Sequence, residues 1–594
     1  MAKKKIMKPE QKRLSPVNHC MTLFFILITV WQGGFSNISW CLSGIFLSAL
    51  LTFRPFVIPP KFVLFALAGL LAAYAVSTVN AGFHAEGWMG AGKIVVVIVW
   101  VLLLFGMELD ADDLVFKAGL VVAGVGLLAY GGWLTNMTVA GRLFGVFQYA
   151  NATGIFLAVC AFLTRLSGKK AVWAVMMETA LMLTLSVGAL AVYAAGWILY
   201  CIAGKKMCVG YCLCGMILSA VIAAGMLAVA RYTPFPWLSP LIPLAYIVAW
   251  KPVQIFIDNL SQKRWVIGGA IALGSASVGG VLLLRGMQPL LTFVERAIQI
   301  SDGFNTMLLH PLGLGPGAWA FYMQMYKTAD YDAAVPHCGY IQIGLSGGFL
   351  AVGLVAALIV YWLYRKRMDK YIVAALMILV HALQDFSFSF LAIILLLLLC
   401  MYAAENRREP DAYTIFPKRL GALFLLPVIA CAVLVIPETV KNRAGWAAAE
   451  GRYEDAADIL AGGFLLPDDT EASLLRILYA GKAEDYPGVD REFDRMKNPN
   501  DRALYWKVVS CMEQGRFTQA ARFGLLCAEK APYRWEVYQL IEEILPRLSA
   551  AEREECEERM QAIRDQARRN THSLSKYLGS APAELSEDFL YRSH

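Results

Sequence analysis

One short segment of this 594-residue sequence places an arginine directly before an apolar stretch and an asparagine inside it. Arg142 occurs in the run GRLFG (residues 141–145), directly before an apolar stretch that would contain Asn151. A guanidinium can grip a phosphate with two parallel hydrogen bonds, whereas an asparagine amide inside a membrane needs a partner. The pattern predicts an anion site at Arg142. A snorkelling arginine and an asparagine bonded to a neighbouring helix are the alternatives.

A second group of candidates lies in a long loop, residues 285–337, between two apolar segments. This outer loop contains Arg296, continues through HPLGLGPG (residues 310–317) and ends at His337. The glycines permit tight turns and a close backbone approach to a ligand, but the run is too short and wrongly placed for a P-loop. His337 could act as a base near neutral pH, with a structural histidine as the alternative.

Two further patterns allow both a functional and a structural interpretation. Asp330-Tyr331-Asp332 could hold a divalent metal against a nucleotide sugar. Nucleotide sugars are cytoplasmic, however, whereas this loop is expected to lie outside the cytoplasm. A solvated acidic turn is therefore favoured, and no metal site is predicted. His381 and Asp385, four residues apart, would share one face of a short span. Ionisable residues inside a membrane are functional candidates, and a structural His–Asp pair that joins two helices is equally open.

Membrane helices must position these residues. The chain is 58% hydrophobic and 16% charged, against about 25% charged in ordinary globular proteins. This composition excludes soluble, collagen-like, disordered and nucleic-acid-binding classes. Apolar stretches of about 15–25 residues recur along residues 20–438, as helices that cross a bilayer require. We therefore predict an all-α polytopic helical bundle with about 13–15 transmembrane helices. The predicted spans lie near residues 20–34, 39–53, 62–78, 91–107, 114–133, 147–164, 171–186, 188–203, 209–230, 238–250, 265–284, 338–363, 371–384, 387–403 and 420–437.

The distribution of basic residues predicts the orientation. With the basic N-terminus (residues 1–19) in the cytoplasm before an uncleaved first anchor, 25 Lys and Arg residues of the first 438 fall inside and six outside. That asymmetry is a strong positive-inside signature and places the outer loop outside the cytoplasm. The six outer residues are Lys93, Arg142, Arg231, Arg285, Arg296 and Lys327.

The last 156 residues differ in composition from the membrane block. Residues 439–594 carry 22 basic and 27 acidic residues and contain a weak repeat. The repeat is visible at residues 449–453, 480–483 and 514–517, with a spacing that suits tetratricopeptide helix pairs. We predict an extracytoplasmic tetratricopeptide-like tail, with an unrelated helical tail as the alternative.

Together these motifs resemble the O-antigen ligase and polymerase superfamily over roughly residues 20–440. The resembling segments are Arg142–Gly145 with Asn151, Arg296, residues 310–317, residues 337–342 and Gly347-Gly348. The run HALQDF (residues 381–386) is similar to a motif of the branch whose members end in tetratricopeptide repeats. Three positions depart from the family pattern: Val187, Asp302 and Cys338.

The resemblance implies a GT-C-type membrane glycosyltransferase with an undecaprenyl-diphosphate-linked glycan as donor and no metal or other cofactor. Carried over, Arg142 and Arg296 would hold the diphosphate, and His337 would deprotonate or orient the acceptor hydroxyl. Substrate-binding roles are predicted for Gln148, Asn151, Gly313, Gly315, Tyr340, Gln342, His381 and Asp385.

The expected function is transfer or polymerisation of the glycan onto a glycan, lipid or wall acceptor at the outer face of a bacterial cytoplasmic membrane. The tail could bind the glycan, the product or an envelope-assembly protein. The sequence hardly distinguishes a ligase from a polymerase. A lipid-linked glycan flippase or transporter, and a non-catalytic membrane scaffold for envelope polysaccharide assembly, are the alternatives.

Overall fold

A computed structural model of the chain describes most of its residues. The described ranges are 16–52, 56–81, 84–106, 109–167, 171–203, 209–261, 288–364, 368–405, 415–416, 423, 425–466 and 468–578. The predicted span at 265–284 lies outside them.

Helices form nearly all of the described structure, which confirms the predicted all-α bundle. The first eleven are α1 Pro16–Val30, α2 Asn37–Thr52, α3 Lys61–Ala81, α4 His84–Phe105, α5 Ala111–Tyr130, α6 Ala150–Arg165, α7 Ala171–Leu183, α8 Val187–Ile202, α9 Val209–Tyr232, α10 Leu241–Val248 and α11 Trp250–Ser261. The next six are α12 Gln288–Leu309, α13 Trp319–Tyr326, α14 Gly339–Tyr364, α15 Lys370–His381, α16 Leu391–Glu405 and α17 Leu425–Ala449.

Six of these helices are long and apolar enough to cross a membrane, judged by length and composition: α3, α4, α5, α9, α14 and α17. Shorter apolar helices, of 10–17 residues, accompany them. The chain is therefore consistent with a membrane protein, while the larger number of spans stays a prediction. Lys93, counted above as an outer residue, lies inside α4.

Helix α6 is the centre of the membrane block, and nearly every residue of it is buried. It packs against α5, α7, α8 and α15. Its last residue, Arg165, pairs with Glu178 of α7, and Glu178 also accepts hydrogen bonds from the hydroxyls of Tyr193 and Ser219. A buried ion pair of this kind joins four helices by fully bonded polar groups.

The described residues include two pairs of short antiparallel strands. β1 (Phe56–Val57) pairs with β4 (Ile415–Phe416), and β2 (Thr138–Val139) pairs with β3 (Arg142–Leu143). The second pair is a small hairpin that carries Arg142 directly in front of α6.

The outer loop is more ordered than the sequence indicated, because its described part contains α12 and α13. The run 310–317 follows α12 and docks on α14 where that helix is broken at Gly348, whose φ is +72°. There the backbone N–H of Leu314 donates to Leu345 and the N–H of Phe349 donates to Pro311, at 2.7 and 3.1 Å.

The tail is a stack of helices whose turns repeat. Its helices are α18 Tyr453–Gly462, α19 Thr470–Lys482, α20 Tyr486–Arg495, α21 Asp501–Glu513, α22 Phe517–Lys530, α23 Trp535–Ile544 and α24 Ala550–Asn570. In three turns a backbone N–H donates to the carbonyl five residues earlier: Arg452 to Ala447, Asp485 to Ala480 and Arg516 to Cys511. The repeat seen in the sequence thus corresponds to a repeated helix ending.

The tail packs on the outer loop and on the start of α4. The Tyr322 hydroxyl donates to the carbonyl of Asn498 at 3.0 Å, and the backbone N–H of Glu471 donates to Glu86 at 2.9 Å. Beside this contact, Lys441 lies 2.6 Å from Glu438 and 2.5 Å from Glu471. The tail and the outer loop therefore lie at the same end of the membrane block.

Candidate active site

Arg142 is fixed at the entrance to α6 by contacts on three sides. Its Nε donates to the carbonyl of Thr184 at 3.1 Å, and its guanidinium lies 5.8 Å from the ring centre of Phe144. Its Nη2 lies 3.5 Å from Oδ1 of Asn151. The arginine is therefore held in the protein beside Asn151 instead of extending along a lipid-facing surface.

Asn151 connects the hairpin end of α6 to Asp385. The Asn151 amide donates to Oδ2 of Asp385 at 2.6 Å and to the Tyr149 hydroxyl at 2.9 Å. Its Oδ1 accepts from the Ser186 hydroxyl at 2.8 Å, and Ser186 also caps α8. The partner that an asparagine in a membrane helix needs is thus a set of three polar side chains, those of Tyr149, Ser186 and Asp385.

Asp385 is the centre of this cluster. Besides the bond from Asn151, its Oδ2 accepts from the Tyr149 hydroxyl at 3.0 Å and lies 3.3 Å from Nη2 of Arg296. Its Oδ1 accepts from the backbone N–H of Phe386. The carboxylate is 1% exposed. Such burial is tolerated because the charge is paired and both oxygens are hydrogen-bonded.

Arg296 reaches the cluster from α12 in the outer loop. Its Nη1 donates to the carbonyl of Gln384 at 2.7 Å, so two of its nitrogens hold the turn that follows α15. Its Nε is buried and has no hydrogen-bond partner among the described residues. A guanidinium donor left unpaired at a buried position is costly and marks a place where a ligand acceptor would fit.

His337 lies next to this cluster, in the turn before α14. Its backbone N–H donates to Oε1 of Gln299 at 3.1 Å, and its ring packs 5.0 Å from the ring of Phe386. The pKa of His337 is lowered to about 4, mainly by burial; Asp385 opposes this shift and Arg296 adds to it. The imidazole is therefore neutral at pH 7, and its buried Nδ1 lacks a partner in the described part of the chain.

Backbone hydrogen bonds hold the His337 turn against the Asp385 turn. The N–H of Gly339 donates to the carbonyls of Ala382 and Asp385, at 2.8 and 3.1 Å. A side chain at Gly339 would run into the ring of Phe388. Cys338, one of the three positions that depart from the family pattern, is buried in an apolar cluster with Met307 of α12 and Trp319 of α13.

The expectation that His381 and Asp385 share one helix face is wrong. Helix α15 ends at His381, and Asp385 lies in the following turn, which the Gly339 hydrogen bonds hold away from helical geometry. Nδ1 of His381 instead bonds the Ser387 hydroxyl at 2.8 Å. His381 therefore supports the turn, and Asp385 is the member of the pair that reaches the cluster.

Gly313 and Gly315 hold the outer loop against α14. Their φ angles are +96° and +109°, and a side chain on Gly313 would meet the backbone nitrogen of Gly348 at 2.8 Å. In this structure the close backbone approach that the run predicts is made to Gly348, so a contact with a ligand stays a prediction.

Three other predicted binding residues lie outside the Asp385 cluster. Gln148 is exposed and accepts a hydrogen bond from Gln32, and the Tyr340 hydroxyl donates to the carbonyl of Leu379. Gln342 bonds the Ser389 hydroxyl at 3.1 Å. Of these, Gln342 lines a cavity beside His337.

The acidic residues of the outer loop have structural partners. Asp302 accepts hydrogen bonds from the backbone and hydroxyl of Thr328 and from the Tyr331 hydroxyl, and burial raises the pKa of this carboxyl. Asp330 lies 3.6 Å from Lys327, and Asp332 is exposed. Asp302 therefore fixes α12 to the chain near residue 330.

The sequence alone did not identify Tyr149 and Gln299 as parts of the site. Tyr149 belongs to the run before Asn151, but nothing in the sequence indicated a role for it. Nothing in the sequence indicated that Gln299, one turn after Arg296, would receive a hydrogen bond from the His337 backbone.

Comparisons with known proteins add no family assignment. The chain matches no protein-family model, no curated protein and no solved structure.

Proposed function

We propose that the chain is a membrane glycosyltransferase that moves a glycan from an undecaprenyl-diphosphate carrier to an acceptor hydroxyl. The proposal includes the O-antigen ligase or polymerase assignment, a GT-C-type fold, and an outer, bacterial location for the site and tail. The observation that carries it is the convergence of Arg142, from the hairpin before α6, with Arg296 and His337 of the outer loop around the turn that contains Asp385.

The unpaired atoms of this cluster support a substrate with anionic oxygens and a hydroxyl. Nε of Arg296 can donate to a diphosphate oxygen, and Nδ1 of His337, as a neutral acceptor, can receive a hydroxyl proton. The two arginines and Asp385 leave one net positive charge. That excess favours a polyanion over a neutral sugar as the group bound there.

In the proposed reaction, Arg142 and Arg296 stabilise the negative charge that develops on the leaving group. The acceptor oxygen bonds to the anomeric carbon as the bond to the diphosphate breaks, and the electron pair leaves on the lipid diphosphate. Fixed donors that meet such developing charge in a site poor in water contribute several kcal/mol each. Asp385 positions Arg296 and Asn151 for this task.

His337 in the free protein is a weak base, because the pKa of its imidazole is about 4. A bound diphosphate would add negative charge beside it and raise that pKa towards the range in which general bases work well. Binding of the donor would therefore activate the histidine for the acceptor proton.

The tail is proposed to be a tetratricopeptide-like module on the outer side. Its contacts with the outer loop at Tyr322 and with α4 at Glu86 place it at the proposed substrate end of the membrane block. We propose that it binds the growing glycan or an envelope-assembly protein there.

The test uses purified protein in liposomes that contain undecaprenyl-diphosphate-linked oligosaccharides. We expect the wild type to give new glycosidic bonds, and Arg296→Gln and His337→Ala each to lower the rate at least about 100-fold. Arg231→Gln is the matched control, since Arg231 is an exposed arginine at the end of α9 that packs on the ring of Tyr232.

The products distinguish the possible activities. A ladder of longer lipid-linked glycans indicates a polymerase, and a single transfer to an added acceptor indicates a ligase. Movement of glycan lipid between leaflets without a new bond would contradict the proposal and favour a flippase. Folded Arg296→Gln and His337→Ala proteins with full activity would refute the assignment of the site.

A further inference from the structure

A cavity of about 630 Å³ lies beside the His337 turn, between the membrane block, the outer loop and the tail. Val335 and Pro336, which directly precede His337, form part of its wall, and Phe388 and Ser389 form another part. Neither Arg142 nor Arg296 is among its lining residues. The cavity is therefore a second compartment that adjoins the candidate site at His337.

One face of α4 forms a continuous wall of this cavity. The lining positions recur every three or four residues, as one helix face requires, over about 18 Å at 1.5 Å per residue. From the outer end inward they are Ala85, Glu86, Met89, Gly90, Lys93, Ile94 and Val97. The wall thus changes from acidic, through a cation, to apolar.

Lys93 brings a positive charge to the middle of this wall. Its Nζ lies 5.5 Å from the ring centre of Trp40, and no carboxylate of the described residues comes within ion-pair distance of it. Glu438 acts on Lys93 electrostatically, but its carboxylate already lies 2.6 Å from Lys441. An ammonium group inside a membrane helix is costly and marks a functional site unless it is paired.

The two ends of the wall differ in the chemistry that they offer. At the outer end, Oε2 of Glu86 and Nε1 of Trp40 are buried, and neither has a hydrogen-bond partner in the described part of the chain. At the inner end, Val97 faces a space that Leu397 and Leu398 also line. A ligand that is complementary to the acidic outer end, to Lys93 and to the apolar inner end has a hydroxylated head, one anionic group and an apolar chain.

We propose that this cavity binds the acceptor as an anionic glycolipid, with a phosphate at Lys93, the sugar at Glu86 and the chain along Val97. The inference rests on the proposed function and adds that both substrates are lipids, the donor diphosphate at the arginines and the acceptor phosphate at Lys93. His337, between the two compartments, then takes the proton of the attacking acceptor hydroxyl.

Photo-crosslinking of the full chain in nanodiscs tests the binding. The probe is a polyprenyl phosphate with a diazirine in its chain, and the neutral control is the matching polyprenol. We expect crosslinks near Val97 or Leu398 with the phosphate probe. Labelling should fall at least five-fold in Lys93→Met and persist in Lys93→Arg and in Arg296→Gln. Lys93→Met replaces a buried cation by an apolar side chain of similar length and is expected to fold.

Equal labelling by the polyprenol, or unchanged labelling of Lys93→Met, would overturn the proposal. A turnover assay then identifies the acceptor. If Lys93→Met abolishes ladder formation from donor alone, the cavity holds a second donor molecule. If it abolishes transfer only to an added phosphoglycolipid, that lipid is the acceptor. Cavity labelling that depends on Lys93 in a wild type without transfer would refute the proposed glycosyltransferase but not the anionic lipid site.

Discussion

The side-chain amide of Asn151 lies 2.6 Å from the carboxylate of Asp385 and joins the first turn of α6 to the turn after α15. Because Arg296 contacts the same carboxylate oxygen at 3.3 Å, one buried acid ties the outer loop to the membrane block. A change at Asp385 should therefore move several donors at once.

Asp385→Asn should show whether Asp385 positions the reacting groups or only stabilises the folded protein. The substitution removes the charge that compensates Arg296 and turns an acceptor into a donor that faces the Tyr149 hydroxyl. We expect kcat to fall about 100-fold, as misplacement of reacting groups by about 1 Å does. KM for the donor should not rise, because Arg296 keeps its charge and gains freedom to bind phosphate. Steady-state kinetics with lipid-linked donor give both parameters.

The matched control for Asp385→Asn is Asp302→Asn. Asp302 also accepts three hydrogen bonds, but it fixes α12 to Thr328 and Tyr331 away from the cluster. Asp302→Asn should lower the melting temperature, and its loss of kcat should be smaller than that of Asp385→Asn. A parallel rise in KM and fall in kcat for Asp385→Asn would indicate general disruption instead.

The pH dependence of transfer should report the state of His337. Its pKa in the free protein is about 4, so the neutral form dominates above that pH, and kcat/KM should fall only as the pH drops through about 4. A bound diphosphate favours the protonated form, so the acid limb of kcat should lie at higher pH. His337→Ala should abolish both limbs. Coincident limbs would contradict an electrostatic effect of the donor on His337.

The sequence predicted which residues belong to the candidate site better than it predicted how those residues contact one another. Arg142, Asn151, Arg296 and Asp385 were all identified as candidates. Asn151 and Asp385 were singled out because a polar group inside a membrane span is costly. Arg142 and Arg296 were singled out as two of the few arginines on the predicted outer side and by the family resemblance. Their mutual contacts were not predictable, since they depend on how the turn after α15 packs against α12.

The buried ion pair of Arg165 and Glu178 could not be seen in the sequence. Arg165 was counted among cytoplasmic basic residues, yet its side chain is 2% exposed and pairs with Glu178. A charge near a predicted span end has the same sequence pattern whether it faces water or a neighbouring helix. Only the packing of α6 on α7 decides between them.

Breaking this pair should destabilise the protein without touching the candidate site. Glu178→Ala leaves the Arg165 guanidinium buried and uncompensated, which typically costs about 3–5 kcal/mol. The double variant Arg165→Met/Glu178→Leu removes both charges and should recover most of that loss. Denaturation of the wild type, Arg165→Met, Glu178→Leu and the double variant in one detergent measures the coupling, and Glu178→Ala is compared with them. A double variant as unstable as Glu178→Ala would show that the charges are not the cause.

Gly348 and Gly353, on the same helix α14, form a pair of variants that isolates the docking of the outer loop. Gly348 has φ +72°, and a side chain there would lie 2.6 Å from the carbonyl carbon of Leu312, whereas a side chain at Gly353 meets no atom within 4 Å. Gly348→Ala should therefore release residues 310–317 to proteolysis and lower transfer, since His337 and Arg296 belong to the same loop. Gly353→Ala should leave both unchanged or stabilise the helix by about 0.5–1 kcal/mol. Equal resistance of the two variants to proteolysis would mean that the loop is held mainly by its contacts with the tail.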